Sequence, residues 1–332
     1  DHSGYSLNRK HTGQGVRKVE VHTARTPGRI CLLGDNTDLV EKPTLAAAIS
    51  AYLTIELETR ANGKISFTAN DLSITEEYRL GEPPPANSPL RYPMAVCRRL
   101  KSSISNGFHA SIRSDIPIGA GLSSSTALCI ATINVLDKAF KIGLSKREVA
   151  ELAYVIESQD LGVECGRLDQ YAITFGGVNY IDTGPDPTVT PIATARLPIA
   201  VADTQEQHNT RDLQIWLRRR IREKEELLLA SLDRVVCLVE AGRRAVEAGD
   251  LPALGRLMNL QQEEEKLMGT STDRLEAFCR AARKAGALGA KQMGSGGGGC
   301  MIALCRPESD DAVVRALEAL GAPVWKFDIV GS

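Results

Sequence analysis

Two glycine-rich stretches hold the residues of this chain whose types and spacing point to chemistry. The first, DIPIGAGLSSSTA, runs from Asp115 to Ala127 and leads into the apolar-periodic segment ending at Phe140. Gly119 and Gly121 permit tight turns and close approach of a ligand to the backbone. Ser123, Ser124 and Ser125 set hydroxyls beside the N–H groups that open a helix and lack intrahelical partners. Backbone donors and the positive helix end together make such a loop a phosphate cradle; the plainer reading is a Gly/Ser turn with an N-cap. No G-x-x-x-x-G-K-[ST] occurs, so this is not a Walker loop, and no strand-opening G-x-G-x-x-G supports a dinucleotide fold.

The second stretch, KQMGSGGGGCMIAL, spans Lys291 to Leu304. Its glycines, Gly294, Gly296, Gly297, Gly298 and Gly299, carry a heavy chain-entropy cost. That cost makes sense where backbone must pass close to a ligand or to other backbone. A flexible linker is the alternative, but Met301 to Leu304 reads as a buried strand and not as a tether.

These loops need a framework, and the chain is long enough to supply one. Its 332 residues allow two domains, and 43% hydrophobic with 24% charged residues is the composition of an ordinary globular protein. Forty Lys and Arg against 41 Asp and Glu leave a formal charge of −1, so no basic excess argues for nucleic acid. The local run Arg218, Arg219, Arg220 and Arg222 is followed by Glu223, Glu225 and Glu226, as on a solvated helix face. Eight cysteines sit mostly inside apolar runs, with no C-x-x-C pair and no zinc-type Cys/His spacing. This usage fits buried thiols in a reducing compartment, hence a cytoplasmic location. With only five histidines, a histidine-centred site is not the theme. No apolar run is long enough for a membrane span, and no secretory signal opens the sequence.

Periodicity then places the elements. Strands are expected at Val19–Thr23, Leu53–Glu58, Ile65–Thr68, Ser73–Tyr78, Gly107–Ile112, Val178–Ile181 and Ile199–Asp203, and Ile30–Leu33 is a brief apolar run. The alanine run near residues 46–48 is ambiguous between helix and tightly packed backbone. Helices are expected over Leu90–Leu100, from the serine loop to Phe140, and over Lys146–Gln159 with Ser145 as cap and Glu148 three residues on. Thr210–Ala248 is strongly helical but long enough to need a break. Asp250–Met268, Leu275–Ala285 and Asp310–Leu320 follow. The alternation implies two mixed α/β domains, 19–200 and 201–332, after a flexible segment 1–18.

Three blocks, TPGRICLLGDNTD (Thr26–Asp38), PIGAGLSSSTA (Pro117–Ala127) and KQMGSGGGGCMIAL, resemble in type and order the GHMP kinase superfamily. The resemblance covers about Arg25 to Val330. It implies an N-terminal domain like domain 2 of ribosomal protein S5, a ferredoxin-like C-terminal domain, and ATP in a non-Walker site between them. CGRLDQ (Cys165–Gln170) and DTQEQHNTRD (Asp203–Asp212) look like the galactokinase branch, whereas mevalonate kinases usually show Ser-Gly-x-Asp-Asn at the former. The first block departs from the galactokinase pattern Gly-Glu-His-Thr-Asp-Tyr, having Asp35 and Asn36 in place of the glutamate and histidine, and Leu39 in place of the tyrosine.

The resemblance implies ATP-dependent phosphorylation of a hydroxyl on a small sugar or polyol. Asp169 is then the catalytic carboxylate and Arg29 its cationic neighbour. Gly119, Gly121, Leu122, Ser123, Ser124 and Ser125 bind phosphate, Ser124 and Glu157 hold Mg²⁺, and Asp35, Asn36 and Asp38 join Asp169 in contacting the acceptor. The glycine block Gly294–Gly299 brings the second domain to the reacting groups. No nucleic-acid or membrane partner is expected, and the protein is expected to be a monomer or homodimer. A mevalonate-type kinase and a catalytically silent nucleotide or sugar sensor are the alternatives.

Overall fold

The long strand Thr44–Arg60 organises the N-terminal half. In chain order the elements are β1 (Val21–Leu33), β2 (Thr44–Arg60), β3 (Ile65–Ala69), β4 (Ile74–Tyr78), α1 (Arg91–Arg99), β5 (Gly107–Ser114), α2 (Ser124–Phe140), α3 (Lys146–Val155), α4 (Leu168–Phe175), β6 (Val178–Asp182) and β7 (Thr188–Ile192). There follow β8 (Ile199–Asp203), α5 (Thr210–Arg222), α6 (Glu226–Glu247), α7 (Leu251–Met268), α8 (Asp273–Lys284), β9 (Gly289–Gln292), β10 (Cys300–Leu304), α9 (Asp310–Glu318) and β11 (Val324–Phe327). The computed structural model describes residues 20–117, 119–194, 197–206, 210–306 and 308–331. The segment 1–18, the expected strand start at Val19 and residues 207–209 of DTQEQHNTRD lie outside the described residues.

A seven-stranded sheet runs in the order β4-β3-β5-β2-β6-β7, with β1 paired to β2. One edge of β2 pairs with β1 along most of its length. The other pairs with β6 at Thr44–Ala47 and with β5 at Leu53–Arg60. The gap between those partners is closed by the chain's end: the Ser50 N–H donates to the Asp328 carbonyl at 2.9 Å and the Val330 N–H to the Ala48 carbonyl at 3.0 Å. A second, four-stranded antiparallel sheet has the order β11-β8-β10-β9.

The alanine run is strand because both faces of β2 are covered there, which removes the polar alternation of a half-exposed strand. Cys31 and Ala46 pack on Leu168, Tyr171 and Ala172 of α4. On the opposite side α6 comes so close that a Cβ at Gly242 would run into Leu33. The α6–α7 pair touches β1 on one side, and α7 touches β9 on the other, joining the two sheets.

Three sequence expectations are refined. Ser145 makes its capping box with Glu148. The helix it starts is regular only to Val155, however, and continues as a widened π turn over Ile156–Asp160. The helix expected over Thr210–Ala248 breaks before Glu226, where Lys224 takes φ 55°. All eight cysteines are free thiols, and Cys237 is exposed. No helix among the described residues is long and apolar enough to cross a membrane.

Candidate active site

Three elements converge on one carboxylate. Strand β1 delivers Arg29, the loop before α2 delivers Ser123, and the first turn of α4 delivers Asp169. Arg29 Nε donates to Asp169 Oδ1 at 2.6 Å and Nη1 donates to the Gly121 carbonyl at 2.6 Å. The Arg29 backbone N–H reaches the Leu122 carbonyl at 3.3 Å, so strand and loop are tied twice. Ser123 Oγ donates to the second carboxylate oxygen, Asp169 Oδ2, at 2.6 Å.

The local backbone explains this aim. Gly119 and Gly121 both have positive φ, and Ser123 itself is left-handed at φ 60°. Its hydroxyl makes no helix cap and turns to Asp169 instead, against the simple N-cap reading of the serines. Burial alone pulls the Arg29 pKa down, but the adjacent Asp169 outweighs it and lifts the guanidinium above its ordinary value. Asp169 keeps 30% of its side-chain surface exposed, facing a cavity of about 360 Å³.

That cavity gathers much of what the sequence singled out. Gly119, Gly121, Ser123, Ser124 and Ser125 line one wall, and Gly294 and Gly298 line another. Leu122 is buried beneath. Gly296 is packed against the Thr270 carbonyl, while Gly297 and Gly299 are held by backbone bonds to Thr270, Thr204 and Glu206.

The first block divides three ways. Asn36 is left-handed at φ 66° and 8% exposed, and its Nδ2 is buried without a partner on the cavity wall. Asp38 sits at the head of α4, where its Oδ2 accepts the Leu168 N–H at 3.3 Å. Desolvation first, and the charge of Asp169 second, push the Asp38 pKa up to about 6. Asp35 reaches the wall, but its oxygens are taken by Gln261, Lys291 and the Gly294 N–H, which corrects its expected part in contacting the acceptor.

Ser124 and Glu157 do not meet directly. Ser124 lines the cavity, whereas Glu157 is 2% exposed on the π turn, bonded by Thr126 Oγ1 at 2.9 Å and by Gln170 Nε2 at 2.5 Å. Desolvation dominates its environment and raises its pKa to about 7. Among the described residues no cluster of three metal-ligating side chains occurs. A hard divalent cation shared with substrate phosphates needs only one or two protein carboxylates plus oxygen donors. The hydroxyls of the loop and the buried, under-compensated Glu157 fit that requirement.

Several lining residues carried no motif. Arg211 and Gln214 enter from α5, and Arg91 and Tyr92 from α1. Their only sequence signal was polarity on an amphipathic helix. In the arginine run, Arg218 pairs with Glu164 at 2.9 Å and Arg220 donates to the Met268 carbonyl at 2.6 Å. The first contact ties α5 to the loop before α4, and the second ties it to the end of α7.

A non-Walker glycine/serine loop, a carboxylate held by an arginine and a glycine-rich wall define a small-molecule phosphotransferase site. Residues 91–177 match the GHMP kinases N terminal domain and residues 243–322 the GHMP kinases C terminal domain. The chain is 32% identical over 320 residues to the mevalonate kinase of Pyrococcus horikoshii, covering 91% of this chain and 94% of that one. It belongs to the GHMP kinases, and is an ATP-dependent small-molecule kinase with the family's two-part α/β fold. A galactokinase of Thermosipho africanus is 28% identical over 332 residues, covering 89% and 92%. A crystal structure of mevalonate kinase superposes with TM-score 0.80 at 22% identity, over 93% of this chain and 99% of that one. The assignment to the galactokinase branch is therefore overturned: CGRLDQ drew it, but the whole-chain likeness favours mevalonate kinases. The matches to both GHMP kinase domains likewise set aside the silent sensor.

Proposed function

We propose that the protein transfers the γ-phosphoryl group of ATP to a hydroxyl of mevalonate or a closely similar hydroxy acid. The observation that carries the reaction is Asp169, held through one oxygen by Arg29 and through the other by Ser123, facing the cavity beside the glycine/serine loop. The acceptor class rests on the likeness to mevalonate kinases along nine-tenths of the chain and on the donors of the cavity. Arg211 lines it with no ion-pair or hydrogen-bond partner among the described residues, and Asn36 Nδ2 is unpartnered. Such groups suit a carboxylate-bearing acceptor better than a neutral sugar.

In this reading Asp169 orients the acceptor hydroxyl and accepts its proton as the oxygen attacks the γ-phosphorus and ADP leaves. Arg29 fixes the orientation of the carboxylate through its Nε–H bond and offsets the negative charge that builds between nucleotide and acceptor. Backbone donors of Gly119, Gly121 and Leu122, with the hydroxyls of Ser123, Ser124 and Ser125, replace water around the phosphates. Ser124 and Glu157 would hold Mg²⁺, which when bound neutralises phosphate charge. Asp38 and Asn36 contact the acceptor. The sheet organised by β2 and the sheet of β8–β11 stand on either side of the site, so the expected border moves to before β8, and the last residues return to β2.

The test is a product-resolved kinase assay with ATP and a panel of mevalonate, galactose, other monosaccharides and inositols. Phosphomevalonate as the dominant product is the expected outcome. A sugar phosphate formed faster at equal acceptor concentration would reject the acceptor class, and no product from any acceptor would reject the site assignment.

A further inference from the structure

Behind the cavity wall lies an ion pair with no part in the chemistry proposed above. The side chains of Asp35 and Lys291 are both 0% exposed. Lys291 Nζ is fully engaged, donating to Asp35 Oδ2, to the Cys31 carbonyl at 3.3 Å and to the Gln292 carbonyl at 2.8 Å. The other Asp35 oxygen accepts the Gly294 N–H at 2.6 Å. Gln261 of α7 braces the same carboxylate, donating to Oδ2 at 3.0 Å while accepting the Gly34 N–H at 2.9 Å. From Gln261 the bonds continue to Glu265 and Thr270, whose carbonyl accepts the Gly297 N–H at 2.7 Å. One carboxylate thus joins the turn that bears Asn36 and Asp38 to the glycine run.

Stability does not account for such a pair, because a buried ion pair is often matched or bettered by apolar side chains. Its particular effect is on a backbone that cannot order itself. Gly294 has φ 73° and the next glycines are all left-handed, so the run has more freedom to lose than any other segment of the wall. It must nevertheless lie in register with the phosphate loop: a Cβ at Gly121 would stand 3.9 Å from the Met293 carbonyl.

We infer that Asp35 is a positioning residue, a clamp that fixes the Gly294–Gly297 wall against the acceptor turn so that acceptor and phosphoryl group meet in line. The inference rests on the catalytic reading of the cavity. It moves Asp35 from touching the acceptor to aiming what touches it. Lys291 and Gln261 serve the clamp by holding the carboxylate.

The test compares two double variants from which the buried charges are removed together. Asp35→Ala with Lys291→Met has no oxygen for the Gly294 N–H, whereas Asp35→Asn with Lys291→Met keeps one. The alanine pair is expected to lose about 100-fold in kcat, the cost of a wall out of place by an ångström. Its acceptor KM should change far less, and the asparagine pair should recover about tenfold of the loss. Rise of acceptor KM alone would mean direct contact, and equal kcat in both pairs would remove the clamp. Amide hydrogen exchange on the wild-type protein decides the matter if either pair fails to fold. Slow exchange at Gly294 and Gly297 is expected, and exchange at the rate of free peptide at Gly294 overturns the proposal. Asp169→Asn run alongside separates the two readings: if it retains full turnover, the catalytic assignment fails whatever Asp35 does.

Discussion

Arg29 and Asp169 are 140 residues apart in sequence and 2.6 Å apart in space, and the same guanidinium also holds the Gly121 carbonyl at 2.6 Å. The proposed catalytic carboxylate and the proposed phosphate loop are therefore registered by one side chain. A change in Arg29 should be felt at both.

Asp169→Asn keeps the shape and one oxygen to accept from Arg29, turns an amide N–H toward Ser123 Oγ, which must then accept, and removes the proton acceptor. Its kcat should fall by roughly 10²–10⁴ with nucleotide affinity little changed. Arg29→Met should lower kcat by roughly 10²–10³ and also weaken nucleotide binding, because the loop loses its tie. Steady-state kinetics with nucleotide titration separate the two. Near-wild-type turnover of a folded D169N would remove Asp169 from the mechanism.

Glu157 sets a stability trend with pH. Its pKa is about 7 in the fold against an ordinary 4.5, so the folded state binds this proton more tightly than the unfolded chain. The associated stability is complete below pH 4.5 and declines as pH rises through about 7. Glu157→Gln should flatten that decline, by at most about 3 kcal/mol between pH 5 and 8. Glu265, also raised to about 7, retains its own share of the trend. Urea unfolding across that pH range gives the comparison, and identical slopes for both proteins would exclude Glu157 as the buried acid.

Asp38 should shape the acidic limb of catalysis. With a pKa near 6 it is protonated below that pH and ionised above it, and the ionised form accepts more hydrogen bonds from acceptor hydroxyls. The acceptor kcat/KM is expected to fall as pH drops through 6. Asp38→Asn should lessen that fall and lower the value at pH 8 by about 1–3 kcal/mol of lost hydrogen bonding. The affinity for ATP should hardly move. A pH profile of D38N superimposable on that of wild type would take Asp38 out of the acceptor pocket.

The gathering of the motifs around one cavity was legible where close backbone approach forces the geometry. Gly119, Gly121 and the Gly294–Gly299 run stood out because few other residues tolerate their φ values, and Asp169 and Arg29 followed from the blocks around them. The alanine run of β2 was not legible, because a strand covered on both faces loses its two-residue alternation. Nor was the destination of Asp35: its partners Gln261 and Lys291 are 226 and 256 residues away, and only the packing of α7 against β1 and β9 brings them together. Ser124 and Glu157 were paired by the family resemblance, which gave no sign that the π turn seats Glu157 on Thr126 Oγ1, in the same first turn of α2 as Ser124. The branch was misread because two short segments, CGRLDQ and DTQEQHNTRD, were weighed above the likeness spread along the chain.

Acceptor choice gives the remaining prediction. Mevalonate carries a carboxylate as well as hydroxyls, and galactose carries only neutral oxygens. Arg211 faces the cavity without a partner among the described residues, on a helix whose next turns are tied down through Arg218 to Glu164 and to the Cys165 carbonyl. Arg211 is exposed at the cavity, where a neutral sugar would give it no counter-charge and a carboxylate would give it a charge-assisted pair. Mevalonate should therefore exceed galactose in kcat/KM by about 100-fold or more, since a site built around a polar group rejects analogues that lack it. Arg211→Met should raise the KM for mevalonate about tenfold or more with a smaller change in kcat, as expected when binding is lost equally from ground and transition states. It should leave the slow rate on galactose nearly as it was, so the preference narrows from the mevalonate side. If R211M lowers both acceptors alike, Arg211 supports the cavity without reading the carboxylate, and the selectivity has to come from Asn36 and Asp38.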